Sequence, residues 1–138
     1  MAGPEARIFS ALGATAVGFD PYLYRLPYLS GFPANLTEES QYLNQDLSQK
    51  YGGAFDLTLS SWVFDQGSGL AGGSLNLMEQ ILLMTKPGSI SLHNGSLMPA
   101  LVEQLASQLK VLKIVSSFGD NFANLGKSPN FWYVLQKN

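Results

Sequence analysis

ALGATAVGFDP, residues 11–21, is the stretch whose reading decides the fold. Gly13 is a helix stop, because a glycine takes the left-handed backbone that ends a helix without steric penalty. Residues 15–19 then form a short apolar run with no polar alternation, the pattern of a strand buried on both faces of a parallel sheet. Asp20 and Pro21 close it: aspartate opens turns, and proline has no N–H for a ladder. Before the stop, residues 4–12 read as a short helix, with Pro4 in the first turn and Ile8, Ala11 and Leu12 on one face. The chain therefore opens with a helix and a parallel strand whose end carries a carboxylate.

The pattern continues outward from there. Residues 21–40 hold Tyr22, Tyr24, Tyr28 and Phe32 among Pro27, Gly31 and Pro33, and are expected to be loop with at most a short helix. A short strand is expected at 42–46, and a stronger one at 55–64, after the turn signal Gly52 and Gly53. Residues 67–73 read as a glycine-rich loop, and Ser74 as the cap of a helix with Leu75, Met78, Ile81 and Leu82 on one side. Lys86, Pro87 and Gly88 are expected to end that helix before a strand at 89–93. Ser96 starts the clearest helix, with Leu97, Leu101, Leu105 and Leu109 every fourth residue and Met98 and Val102 beside them. Two final strands follow, at 110–118 and 130–136. Alternating strands and helices, then two strands in succession, predict a single α/β domain over 1–138: a mostly parallel sheet with an antiparallel C-terminal strand.

Composition bounds the function. Hydrophobic residues make up 46% of the 138, enough for a core, while only 13% are charged. Net charge is -2, and four of the eight basic residues, Lys110, Lys113, Lys127 and Lys137, are scattered through expected strands and loops. A duplex nucleic-acid partner is therefore not expected, although a single base or nucleoside remains open as a substrate. The chain has no cysteine, which excludes disulfides, thiolate metal sites and cysteine nucleophiles. No His and carboxylate cluster stands at ligand spacing, so no metal is expected. The start carries no basic-then-apolar leader and no run long enough to span a bilayer, so a cytoplasmic chain with no membrane partner is expected. Asn35-Leu36-Thr37 and Asn94-Gly95-Ser96 match the glycosylation pattern, by chance on this reading.

Several strings in this order resemble the class I S-adenosylmethionine (SAM)-dependent methyltransferases. Residues 11–21 resemble the family's second strand, which ends in an acidic residue that accepts hydrogen bonds from the cofactor's ribose diol; Asp20 stands there, followed by Pro21. FDLTLSSWVFD, residues 55–65, resembles the fourth strand and the turn after it. ILLMTKPGSISLH, residues 81–93, resembles the helix, Lys-Pro-Gly turn and fifth strand, and NFWYVLQKN, residues 130–138, the antiparallel last strand. Asp46 and Leu47 match the acidic and apolar pair that meets the adenine ring. The resemblance implies a three-layer Rossmann-like fold with the usual strand order 3-2-1-4-5-7-6. It implies SAM as cofactor, with Gly3, Asp20, Pro21, Asp46, Leu47, Ser60 and Ser61 around it. It opens inside the glycine-rich loop, with Gly3 as that loop's last glycine and the first strand missing. The expectation is an N-terminally truncated member, a degenerate relative or a fragment, with a dimer as one way to cover the gap.

Each candidate has a plainer reading. Asp20 also suits a turn, and Trp62 is as readily core as site wall. Gly67 to Gly72 spells G-x-G-x-x-G, a dinucleotide loop that would make the chain an NAD(P)-dependent oxidoreductase. No acidic residue follows at about twenty positions, so coincidence is preferred there. His93, the lone histidine, reads as polar rim more readily than as a general base. Tyr22, Tyr24 and Tyr28 either stack on a base or pack over the sheet. No G-x-S-x-G elbow supports hydrolase chemistry. The methyl acceptor, whether a small molecule or another class, is not legible, and no catalytic residue is assigned. A non-catalytic methyltransferase-like binding domain is the remaining alternative.

Overall fold

The computed structural model describes residues 4–19, 35–39, 41–61, 63–64, 73–116 and 131–138. The chain divides into two compact units, Met1–Leu43 and Asn44–Asn138.

In the first unit, α1 (Pro4–Ala11) stops before Gly13, whose φ is +98°. The N–H groups of Leu12, Gly13 and Ala14 donate to the carbonyls of Ile8, Ser10 and Phe9, which satisfies the open end of the helix. β1 (Ala16–Phe19) lies parallel to β2 (Leu36–Glu39), with Ala16 opposite Leu36 and Phe19 opposite Glu39. Asn35 fastens these pieces together. Its Oδ1 accepts from Ser10 Oγ at 2.9 Å, its Nδ2 donates to the carbonyls of Ser10 and Ala14, and its own carbonyl accepts from the Ala16 N–H at 3.0 Å. Ser10 is fully buried, so its hydroxyl depends on this partner. The Arg7 guanidinium donates to Glu38 Oε1 from two nitrogens, at 3.0 and 2.8 Å, and ties α1 to β2.

The second unit begins with α2 (Gln45–Lys50), capped by the Asn44 side chain, which accepts from the Leu47 N–H at 3.0 Å. β3 (Phe55–Ser60), α3 (Gly73–Met84), β4 (Thr85–Asn94), α4 (Met98–Gln104), β5 (Leu109–Ser116) and β6 (Phe131–Lys137) follow. Their sheet has the order β3-β4-β6-β5. β3 and β4 are parallel, as strands joined through a crossover helix must be, while β6 runs antiparallel between β4 and β5. Thr58 stands opposite Ser91 and Ser91 opposite Leu135; Ser60 stands opposite His93 and His93 opposite Tyr133. These six buried side chains share one face of the sheet. α3 packs against β3 and β4. Leu47, Phe64, Met78, Ile81, Leu82, Met84, Met98, Leu101, Leu105 and Leu109 supply the rest of the core. The fold is α/β and Rossmann-like, with the antiparallel last strand expected from the sequence.

Several local expectations give way: α4 closes at Gln104, short of Leu105 and Leu109, and Ser74 lies inside α3, which starts at Gly73. Residues 42–46 are not a strand: Asn44 caps a helix, and the strand lies earlier, at Leu36–Glu39. Lys86, Pro87 and Gly88 do not end α3 but lie inside β4. Between the Phe55–Thr85 and Leu57–Ile90 pairs, β4 carries three more residues than β3, and Gly88 takes φ +78° in that bulge. Pro87 is tolerated there because a bulge leaves its residue out of the ladder. The strand expected at 55–64 closes at Ser60. No helix among the described residues is long and apolar enough to cross a membrane.

Candidate functional site

Because β3 and β4 are parallel, their carboxyl ends finish side by side, with Ser60 opposite His93. In open α/β sheets ligands bind beyond those ends. The chain leaving β4 is held against the chain leaving β3. Gly95 takes φ +140°, and a Cβ there would stand 2.4 Å from the Phe64 carbonyl oxygen, so only glycine fits. The Leu97 N–H donates to that same carbonyl at 2.9 Å. The Phe64 ring is fully buried and meets the His93 ring edge-on at 5.5 Å.

A row of polar side chains runs through the core to this edge. Thr85 Oγ1 donates to the Ile81 carbonyl at 2.8 Å and lies 3.0 Å from Thr58 Oγ1, which lies 2.7 Å from Ser91 Oγ. Ser91 Oγ contacts His93 Nε2, and His93 Nδ1 lies 2.6 Å from Ser60 Oγ. Each hydroxyl has one proton, and a carbonyl can only accept. The Thr85 proton is committed to Ile81, so Thr58 donates to Thr85 and Ser91 donates to Thr58. Ser91 can then only accept from His93, which places the imidazole proton on Nε2. Nδ1 is left bare and accepts the Ser60 proton. One backbone carbonyl thereby fixes the direction of every bond in the row and the tautomer of the ring.

Burial alone drives the His93 pKa down from 6.5 to about 3, because no solvent or counter-charge stabilises an imidazolium there. The ring is neutral at physiological pH, has both nitrogens engaged and is closed to solvent. It is neither polar rim nor a base within reach of an acceptor.

The structure distributes the expected site residues unevenly. It brings Ser60 and Ser61 together at the end of β3, Ser60 buried and Ser61 half-buried. Asp46 is exposed in the first turn of α2, while Leu47 turns into the core with its N–H committed to Asn44. Gly3, Asp20 and Pro21 lie outside the described residues, Asp20 directly following the last residue of β1. Trp62, Tyr22, Tyr24, Tyr28 and the loop at 67–72 also lie outside them. Sequence reasoning missed Thr58, Thr85 and Ser91. Their signal was alternation: Thr58 and Ser60 frame Leu59, and Ser91 and His93 frame Leu92, so each strand carries a polar row opposite its leucines.

No protein-family profile matches the chain, and no curated protein is detectably similar to it in sequence. Solved structures do match. An antibiotic-resistance methyltransferase, Kmr, superimposes with a TM-score of 0.65 at 11% identity, over 99% of this chain and 82% of its own. An rRNA methylase from Streptococcus thermophilus matches with a TM-score of 0.58 at 14% identity, over 88% and 72%. A mutant 16S rRNA (adenine(1408)-N(1))-methyltransferase from Catenulisporales acidiphilia matches with a TM-score of 0.60 at 13% identity, over 99% and 83%. The chain has the fold of the class I SAM-dependent methyltransferases. Each taken by itself, the parallel pair β2-β1 matches strands 3-2 of that fold and the sheet β3-β4-β6-β5 matches strands 4-5-7-6. A structure of the Catenulisporales enzyme holding cosubstrate SAM shares the methyltransferase fold at a TM-score of 0.52.

These matches correct one expectation. Scattered lysines argue against a duplex nucleic-acid partner, yet several proteins of this methyltransferase fold are rRNA methyltransferases. Net charge averages over a whole chain, whereas methylating a base requires one nucleotide to reach the rim of the sheet. A charge census of an α/β core does not report on that.

Proposed function

We propose that this chain transfers a methyl group from SAM to an acceptor, in the cytoplasm, and that ribosomal RNA is the first acceptor class to test. The observation that carries the reading is the strand order, with an antiparallel strand inserted between β4 and β5, shared with proteins that hold SAM. The acceptor class comes from neighbours of the same fold that act on rRNA.

The side chains at hand suit the cofactor chemically. SAM presents donors: an ammonium, a ribose diol and an adenine amino group. The candidate residues present acceptors: an exposed Asp46 carboxylate and a Ser60 oxygen whose own proton is turned inward. In this assignment Asp20 takes the ribose hydroxyls, Asp46 the adenine amino group, and Ser60 and Ser61 face the methionine end. Gly3 and Pro21 complete the proposed cofactor-binding set, and Leu47, buried beside Asp46 in α2, anchors the turn that carries it. Bound SAM supplies a methyl group activated by its sulfonium charge, so the protein mainly aligns the acceptor and excludes water. Asp20, Asp46, Ser60 and Ser61 would hold SAM for that transfer, and His93, buried and neutral, would take no proton from the acceptor.

Calorimetric titration of the full chain with SAM tests the proposal. Micromolar binding that Asp20→Asn weakens at least tenfold is expected. A folded chain that ignores SAM up to millimolar concentration refutes it. Tritium transfer from labelled SAM to 30S ribosomal subunits then tests the acceptor.

A further inference from the structure

We infer that Ser60 is an acceptor-only position that selects an N–H donor on the ligand, and that His93, Ser91, Thr58 and Thr85 are the residues that hold it so. This rests on the methyl-transfer reading for the identity of the ligand, but the orientation of Ser60 stands on geometry alone.

An ordinary serine is indifferent: its hydroxyl rotates and offers either a proton or a lone pair. Ser60 has lost that freedom. Its proton points at His93 Nδ1 at 2.6 Å, and Nδ1 is bare because Nε2 must donate to Ser91. Ser91 is committed to Thr58, Thr58 to Thr85, and Thr85 to the Ile81 carbonyl. To turn the Ser60 proton outward, the ring would have to place a proton on Nδ1, which means reversing every bond in the row against a carbonyl that cannot donate. Thr85, Ser91 and His93 are fully buried, so no water is at hand to re-satisfy a reversed row, whereas Ser60 at the strand end keeps 8% of its surface exposed.

What remains at the carboxyl end of β3 is an oxygen with two lone pairs and no proton to give. A ligand carbonyl or ring nitrogen placed against it meets acceptor with acceptor, and an ammonium or amino group meets its complement. Two groups in a methyl-transfer complex carry that chemistry: the ammonium of SAM, and an amino group on the acceptor base. Discrimination by a buried acceptor is steep, because the mismatched ligand leaves a polar atom unpaired.

His93 is the only histidine of the chain, so ¹⁵N-histidine labelling yields a single imidazole pattern. Without ligand, a protonated Nε2 and a bare Nδ1, unchanged from pH 5.5 to 8, are expected. A protonated Nδ1 overturns the inference. Calorimetry then compares wild type with Ser60→Ala. If the ammonium is the donor, SAM weakens by about tenfold or more, as losing a charge-assisted bond implies, while 5′-methylthioadenosine, which lacks the ammonium, is unaffected. If the donor is a base amino group, SAM binding is unchanged, but in saturating S-adenosylhomocysteine the wild type prefers AMP to IMP and Ser60→Ala loses the preference. Either result supports the inference, and His93→Asn, whose amide can still accept from Ser60, retains more of the effect than His93→Phe. A Ser60→Ala chain that matches wild type for all four ligands overturns it. A wild type that binds no SAM overturns the methyl-transfer reading and the ligand assigned to Ser60 with it, leaving the imidazole spectrum to report on the row itself.

Discussion

Lowering the pH from 8 to 5 should destabilise this protein through His93, by an amount that follows from its burial. The imidazole titrates near 6.5 in the unfolded chain and at about 3 in the folded one. The folded state therefore resists a proton that the unfolded state accepts. Below pH 6.5 the unfolded chain gains free energy from protonation that the native chain cannot match, so stability falls with acid and is fully present only above 6.5. At pH 5, about 1.5 pH units below the unfolded value, the loss is about 2 kcal/mol, and it goes on growing down to pH 3. In a chain of this size that corresponds to a Tm lower by roughly 6 °C. Urea unfolding at pH 8, 7, 6 and 5, run on wild type and His93→Asn, isolates the term. Carboxylates contribute to both chains alike, so only the difference in slope belongs to His93. The wild type should lose about 2 kcal/mol more than the variant over this range. Parallel pH curves, or a native imidazole resonance that titrates near 6.5, would refute the assignment of a sealed neutral ring.

Gly95→Ala drives a methyl group to within 2.4 Å of the Phe64 carbonyl at a left-handed φ, and should cost about 3 kcal/mol by urea unfolding. Asn35→Ala removes a side chain that bonds Ser10 and Ala14 and should cost about 2 kcal/mol, with raised amide exchange in α1 and β1 while the second unit keeps its protection. Ser91→Ala strands the His93 Nε2–H and should cost about 1–3 kcal/mol; the double variant Ser91→Ala with His93→Phe, which removes both partners, should recover part of that loss.

Much of the fold was legible because its signals are local. Met98 and Leu101 stand at a helix spacing and are buried in α4, although that helix closes at Gln104, so that Leu105 lies past its end and Leu109 opens β5. Residues 15–19 and 55–60 carry enough unbroken or alternating apolar character to name strands. β2 was not legible, and physics says why: LTEE places two glutamates in a strand. Its place is fixed by pairing with β1 and by Arg7 gripping Glu38, across 31 residues of sequence. α2 was legible in principle, since Asn44 followed by Asp46 is a helix start, but six residues carry too little periodicity to outweigh the aromatic Tyr42 before them. The candidate site followed the same rule. That Ser60 lies at a strand end came from local pattern, whereas its pairing with His93 depends on the register of two parallel strands 33 residues apart. Register is set by the bulge at 86–88, which no local rule placed.

Stability alone does not account for the polar row. Five hydrogen-bonding side chains occupy a face of the sheet where valine and leucine would pack as well, and replacing a satisfied buried pair by apolar groups of similar shape is close to neutral. What the row does uniquely is carry direction. Its far end is the Ile81 carbonyl, one of the carbonyls that the end of α3 leaves without a helical partner. Thr85, the first residue of β4, caps that carbonyl with its hydroxyl, and the commitment passes through Thr58, Ser91 and His93 to the last residue of β3. A helix end in the core thus determines which way a hydroxyl at the rim points. Each of the four intervening groups must be able both to donate and to accept, which is why threonine, serine and a neutral histidine stand here. It also follows that Thr58→Val, far from any ligand and nearly isosteric, should change the ligand preference of Ser60 by releasing Ser91 and with it the ring. A change confined to thermal stability would separate the row from the site.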